Sequence, residues 1–372
     1  MTRMKKFVIS GVNLTEGGTL TVLQDSLEAA ERYLGDEWEI IGLVHDKALF
    51  TSNRIRFLEF PAVKKSWLAR LRFEFIGCHR LAKELAPDFW LSMHDVTPRI
   101  GKVPQATYFH NATLYSPIGL REIIFEPKHL AFSLLYRYVC ACFIRSTKYV
   151  IVQQDVVRGQ LRKYLKVNNI VVANPLKEGE EGCLTKMGAL HNFIYPTLPR
   201  PFKKIEILLE AWSLLQSSTD WTAQLVVTID GTENSYARML LQKYGGLRGV
   251  SFVGRLSKER MADAYDGADC LVFPSTRETW GLPLTEAKAK GLAILAAELP
   301  YAHETVGVYD GVSFFNPESP QVLAEKIKAV ASGTLTFDPC VQKNPAPPYA
   351  RNWRELFEIL VGRSSIRCAA GT

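Results

Sequence analysis

Short apolar runs rich in β-branched and aromatic residues alternate with stretches of helical period along almost the whole chain. That alternation is the pattern of parallel sheets covered by helices on both faces. The runs 7–12, 39–44, 89–93, 106–109 and 149–153 read as strands, with helical stretches such as 19–34 and 67–85 between them. The pattern pauses at 176–188, where Lys177-Glu178-Gly179-Glu180-Glu181-Gly182 is polar and glycine-bearing, a linker signal. It restarts with 192–195, 224–229, 250–253, 270–273 and 293–296. A second break at 338–348 carries several prolines before a helix-like run at 353–361. At 372 residues the chain is too long for one ordinary core. The fold class read from this is α/β, two Rossmann-like doubly wound domains in tandem. The expected boundaries are 1–178, 179–345, and a C-terminal helix in 346–372 that packs back on the first domain. Ligands of open α/β sheets sit beyond the carboxyl ends of the strands, so two such domains facing each other make a cleft.

Composition narrows the function classes. Hydrophobic content of 47% and charged content of 22% are those of a globular protein. No stretch reaches the roughly 18 charge-free apolar residues of a membrane helix. The nearest, 130–144, contains Arg137 and reads as a buried helix with Cys140 and Cys142 as core thiols. The first residues lack a signal-peptide layout, so the expected location is the cytoplasm. Seven cysteines without a Cys-x-x-Cys argue against a disulfide framework and a zinc site. The net charge of +7 suits anionic partners, namely nucleotide diphosphates, anionic lipid surfaces or nucleic acid, and alone chooses none of them. Both the P-loop pattern and the Gly-x-Gly-x-x-Gly fingerprint are missing. Gly17-Gly18 before the first helix could let backbone N–H groups approach an anion, and is equally readable as a plain turn.

The most informative segment runs from Asp269 to Gly291. A buried strand ends near Phe273, a loop carries Arg277 to Gly281, Pro283 fits the first helical turn and Gly291 closes the helix. The helix N-terminus is positive through its dipole, and Glu286 lies about one turn in, able to face the same side as Glu278. Two glutamates eight apart would alone be an ordinary strand-loop-helix with surface carboxylates. With Gly281 between them they resemble the signature of family-four retaining GT-B glycosyltransferases, the glycosyl transferases group 1. Val253-Gly254-Arg255-Leu256-Ser257 before the segment and Leu299-Pro300-Tyr301-Ala302-His303-Glu304-Thr305-Val306-Gly307 after it match as well. The resemblance covers most of 190–330 and extends loosely into the N-terminal half.

The resemblance implies a GT-B fold, a nucleotide-diphosphate sugar as co-substrate and retention of configuration. It implies that Glu278, Thr279, Trp280, Gly281 and Leu282 contact the donor sugar and diphosphate, and that Glu286 takes the ribose hydroxyls. Val253 and Gly254 would border the base. The family's basic pair is represented by Lys203, with Lys204 beside it and Arg200 as the candidate arginine at an unusual spacing. His110 stands where relatives place a histidine at the donor sugar. His94-Asp95 could face the acceptor, and Asn174-Pro175 resembles the family's domain junction. Fixed cations can stabilise a leaving diphosphate without a metal, and no Asp-x-Asp cation site is present, so no metal is expected. The expected acceptor is a glycan or polyprenyl-linked sugar of bacterial surface polysaccharide, with no nucleic acid as partner. Rival readings are a glycoside hydrolase using both glutamates, a sugar-nucleotide epimerase, and a catalytically silent glycan-binding partner. Finally, Lys64, Lys65, Arg70 and Arg72 crowd the start of the 67–85 stretch. Counted at 3.6 residues per turn, Trp67, Leu71, Phe75, Ala82 and Leu85 share one face, leaving Phe73 and Ile76 off it. That basic, aromatic end fits either a helix docked on the sheet or one resting on an anionic membrane at the inner face of the plasma membrane.

Overall fold

The computed structural model describes residues 3–111, 119–126, 135–177, 182–216, 221–338 and 344–363, so Cys340 and Cys368 lie outside the described residues. The chain opens with β1 (Lys5–Ser10), α1 (Gly17–Tyr33), β2 (Trp38–Val44), β3 (Ile55–Glu59), α2 (Trp67–Arg72) and α3 (Cys78–Leu85). It continues with β4 (Phe89–Ser92), β5 (Gln105–Tyr108), α4 (Leu120–Phe125), α5 (135–141), β6 (Tyr149–Val152), α6 (Asp155–Leu165) and β7 (Ile170–Ala173). After the linker come β8 (Asn192–Tyr195), α7 (Ile205–Leu215), β9 (Gln224–Val227), α8 (Ser235–Tyr244), β10 (Val250–Phe252) and α9 (Lys258–Asp266). Then follow β11 (Cys270–Phe273), α10 (Leu282–Ala289), β12 (Ala293–Ala297), α11 (Pro300–Val306), β13 (Val312–Phe315) and α12 (Pro320–Ala331). The described chain ends with β14 (Tyr349–Ala350) and α13 (Trp353–Leu360).

Two compact units result, one of Met1–Tyr115, Phe132–Gly179 and Pro345–Thr372, the other of Ser116–Ala131 and Glu180–Asn344. The sheet of the first has the order β14-β7-β6-β5-β4-β1-β2-β3, and that of the second β10-β9-β8-β11-β12-β13. All strand pairs among the described residues are parallel. Continuous burial along strands such as β11 and β12 is what a sheet covered on both faces demands. In the first unit the chain order reverses between β1 and β4, and in the second between β8 and β11. Such switch points leave a crevice outside the carboxyl ends of the strands.

The C-terminal segment rejoins the first unit. Tyr349 pairs with Val172 and Ala350 with Ala173, and the Trp353 ring stacks on Tyr108 at 5.8 Å. Residues 116–131, by contrast, belong to the second unit, although the expected boundary at 178 puts them in the first. α4 is tied there by ion pairs to Glu206 and Arg277 and by Phe125, which packs on Tyr236.

Two sequence expectations need correction. The 67–85 stretch is not one helix of constant period, because a π turn over Phe73–Gly77 separates α2 from α3. A π turn fits one more residue into a turn and shifts the phase of everything before it by about 100°. Phe73 is therefore buried, while Trp67 is 37%, Ile76 48% and Leu68 80% exposed. The expected buried helix at 130–144 is buried on one face only in its described part: Tyr136 and Cys140 are inside, whereas Leu135 and Tyr138 face solvent. Cys142 is exposed and is not a core thiol. Among the described residues no helix is long and apolar enough to cross a membrane.

Candidate functional site

In the second unit, the switch point between β8 and β11 gathers most of the residues singled out in the sequence. Past β8 the chain makes a short 3-10 turn over Pro201–Lys203, and Lys204 takes a left-handed conformation with φ 52° before α7 begins. The Tyr195 hydroxyl donates to the Lys203 carbonyl at 2.6 Å, tying this turn to the end of β8. Past β11 the loop 274–281 is fastened to the same turn, because the Thr276 N–H donates to the Phe202 carbonyl at 2.8 Å and its hydroxyl at 3.0 Å. The result brings Lys203 and Glu278 together as an ion pair, their side chains 18% and 13% exposed. The Lys203 ammonium also lies 5.7 Å from the ring centroids of both Phe202 and Phe273, which fixes where its charge sits.

The rest of the loop is held from below. Trp280 is buried, its indole N–H donates to the Thr285 hydroxyl at 2.9 Å, and its carbonyl accepts from the Thr305 hydroxyl. Gly281 caps α10 with φ 88°, where a Cβ would stand 3.3 Å from both Leu284 and Phe273. Pro283 lies in the first turn of α10, and Gly291 follows its end with φ 67°. One turn in, a Glu286 oxygen accepts from the Tyr265 hydroxyl at 2.6 Å. Along the same sheet edge, Val253 is 42% exposed after β10. Gly254 has φ 68° there, and a Cβ on it would come within 2.6 Å of the Asp230 carboxylate. Gly254 is buried, and the N–H groups of Val253 and Gly254 donate to the Val227 and Ile229 carbonyls at 3.1 and 3.2 Å, which fixes the backbone at this edge.

The other expected cations are engaged elsewhere. Lys204 pairs with Glu318 at 2.8 Å. Arg200, 45% exposed, pairs with Glu126 at 2.7 Å. Sequence reading missed Arg277, which makes a two-pronged contact with Glu122 at 2.6 and 3.1 Å. Arg121 of α4 completes the set by pairing with the buried Glu206. These partners stand 85 and 155 residues apart in the chain, and no local pattern announces them.

In the first unit, Gly17 opens α1 with φ 63° and open space around it, and Gly18 follows it exposed at the helix start. His110 follows β5 and packs on the Tyr108 ring at 4.7 Å. Burial lowers its pKa below the usual imidazole value, which keeps it neutral at pH 7. Asp95 fixes the His110 backbone: one carboxylate oxygen accepts the N–H of His110 at 2.6 Å and of Asn111 at 3.2 Å, and the other accepts the Tyr136 hydroxyl. His94 is fully buried, with Nδ1 3.2 Å from the Glu74 carboxyl, which makes it part of the interior. Asn174 is buried and accepts from Tyr349 at 2.6 Å, an architectural contact to the returning C-terminal segment. Among the described residues no group of three His, Cys, Asp or Glu could hold a metal ion.

Solved structures share this architecture. The lipopolysaccharide outer core galactosyltransferase WaaB, in its apo form, superposes with a TM-score of 0.63 at 15% identity, over 97% of this chain and 100% of that one. Anabaena Alr3699/HepE in complex with UDP and glucose does so at 0.61 and 18% identity, over 89% and 93%. The fold is therefore that of the GT-B glycosyltransferases. Residues 194–338, which contain the whole Lys203–Glu278–Glu286 arrangement, match the family model Glycosyl transferases group 1. The serotype-specific mannosyltransferase WbdA of Escherichia coli is 32% identical over 124 residues, 32% of this chain and only 15% of that protein's length. The O-antigen chain mannosyltransferase RfbU of Salmonella typhimurium is 21% identical over 252 residues, 65% of this chain and 69% of that protein.

Proposed function

We propose that the chain is a retaining glycosyltransferase that moves a hexose from a nucleotide-diphosphate donor to a glycan or polyprenyl-linked acceptor in surface polysaccharide synthesis. The observation that carries this reading is the Lys203–Glu278 pair at the switch point of the second sheet, in the loop that leads into α10 and Glu286. In this reading Lys203 and the N–H groups at the start of α10 take the diphosphate, Glu278 and the Thr279–Leu282 backbone take the sugar, and Glu286 takes the ribose hydroxyls. As the bond from the sugar carbon to the phosphate oxygen breaks, its electrons pass to the diphosphate, whose added charge the fixed ammonium stabilises without reorganising. The acceptor oxygen bonds to the same face of that carbon, and its proton passes to the departing phosphate oxygen. Mannose is the first sugar to test, because WbdA and RfbU are mannosyltransferases.

The proposed membrane contact is the stretch around α2. Trp67, Leu68 and Ile76 are exposed beside Lys64, Lys65, Arg72 and Arg80, which joins apolar surface to positive charge. A groove of about 430 Å³, lined by residues including Phe60, Val63, Phe73 and Ile76, adjoins it. Such a surface fits the inner face of an anionic membrane that carries the lipid-linked acceptor.

Thermal shift with UDP-, GDP-, ADP- and dTDP-sugars tests the donor, since a ligand that binds only the folded state raises the melting temperature by mass action. One nucleotide class should stabilise the protein, and its sugar should be consumed only when an acceptor is added. No shift with any donor sinks the reading, and consumption without acceptor points to hydrolysis or epimerisation.

A further inference from the structure

We propose that Arg277 is the second cation of the diphosphate site, and that the Glu122 carboxylate competes with a phosphate for its guanidinium. The proposal rests on the reading of the second unit as a nucleotide-sugar site. Arg277 directly precedes Glu278 in the loop after β11, and its guanidinium lies 5.1 Å over the ring of Phe202, the neighbour of Lys203. The Thr276–Phe202 bonds fasten both residues to one spot. At 10% exposure Arg277 is a more desolvated cation than Arg200 at 45%, so its interaction with an anion is less screened. Its fork against Glu122 is the geometry in which a guanidinium takes either a carboxylate or two phosphate oxygens.

The element that carries Glu122 is held in an unusual way. α4 turns Glu122 toward Arg277, and Glu126 after it toward Arg200, while Arg121, 60% exposed, reaches Glu206 from the surface. Ile124 is 70% and Ile123 39% exposed, and Phe125 packs on Tyr236. Much of what retains α4 is therefore ionic, and a diphosphate brings more charge to Arg277 than one carboxylate does. Exchange of Glu122 for a phosphate leaves the guanidinium fork satisfied on both sides of the equilibrium.

Calorimetric titration of the full chain with UDP, GDP, ADP and inorganic pyrophosphate tests this. Glu122→Gln removes the competing charge but keeps an acceptor for the Gly119 N–H that Glu122 now takes at 2.7 Å. The variant should bind the nucleotide preferred by wild type, and pyrophosphate, about tenfold more tightly. Arg277→Gln should bind both about tenfold more weakly, and adding Glu122→Gln to it should change nothing further, the signature of a coupled pair. Arg277→Lys, which keeps the charge and loses the fork, should melt like wild type and bind at an intermediate affinity. Glu122→Gln affinity equal to wild type, or tightening that persists in the Arg277→Gln background, overturns the proposal. If wild type binds but Arg277→Gln is unchanged, this inference fails alone. If wild type binds none of the four probes, the donor-site reading fails with it.

Discussion

Replacing Lys203 by alanine removes one ammonium from a place the structure defines closely, over two phenyl rings and against Glu278. An ammonium about 4 Å from a leaving oxygen, at the effective dielectric of about 20 that suits a mostly buried site, interacts with one added unit of charge by about 4 kcal/mol. Residual exposure of the lysine, 18%, and the attraction it already spends on Glu278 reduce that figure. A loss of about 3 kcal/mol in barrier stabilisation remains, or a fall in kcat of about 10²–10³. Donor affinity should fall less, because the extra charge on the diphosphate develops only as the bond breaks. The same substitution leaves Glu278, 13% exposed, without its cation, so the variant should also melt lower. Changing Glu278 to glutamine as well should restore much of the melting temperature and none of the turnover. The assay is donor consumption under saturating donor and acceptor, with donor Kd by calorimetry and melting followed in parallel. A Lys203→Ala kcat within about threefold of wild type refutes the reasoning, since that is well under 1 kcal/mol.

Glu286→Ala should weaken nucleoside diphosphate binding by about tenfold, and unlike wild type it should bind the 2′-deoxy nucleotide as well as the ribonucleotide; retained discrimination removes the ribose from Glu286. Gly281→Ala forces a Cβ into φ 88° against Leu284 and Phe273, so stability should fall by about 1–3 kcal/mol and donor affinity with it; an unchanged melting temperature contradicts the strained cap. Burial raises the Glu74 pKa from 4.5 to about 8, so the folded protein holds a proton there that the unfolded chain releases. Its contribution is whole below about pH 4.5 and lost as pH rises through 8, while buried His94, whose pKa is lowered, loses its contribution as pH falls below 6.5. Glu74→Gln should therefore gain on wild type by on the order of 2–4 kcal/mol between pH 5 and 9, and parallel melting profiles would show that Glu74 is not held protonated. The protein should sediment with anionic and not neutral liposomes and be released by high salt, and replacing Lys64, Lys65 and Arg72 by glutamine should abolish it; equal partitioning with neutral vesicles removes the electrostatic contact.

How much of this was legible depended on whether the cause was local. Strand β11, the glycine at Gly281, the proline in the first turn of α10 and the glycine after it were readable because each is fixed by its own backbone requirement or by burial on both faces. The same holds for the two sheets, whose alternating pattern needs no knowledge of which residue meets which. The partners of the cations were not readable. Arg277 meets Glu122 across 155 positions, and a lone arginine before a glutamate looks like any solvated loop charge. Residues 116–131 fall with the second unit, where α4 makes distant ion pairs and Phe125 packs on Tyr236, contacts that linker composition near 178 does not announce.

The stretch 67–85 shows a subtler limit. Its residues were sorted into faces by a uniform period, and the residues after the π turn were sorted well: Ala82 and Leu85 are buried. Phe73, which opens the turn, went inward, and Trp67 before it is left 37% exposed with its ring edge-on to Tyr136. The extra residue of the π turn has a visible use, because it puts Glu74 fully inside, 3.2 Å from His94, while Arg72 and Ile76 remain at the surface. One local insertion thus places a buried acid under the carboxyl end of β4 and turns Trp67 and Leu68 toward solvent with the lysines. The turn that broke the sequence count is the same one that builds both the buried Glu74–His94 pair and the exposed basic, apolar surface.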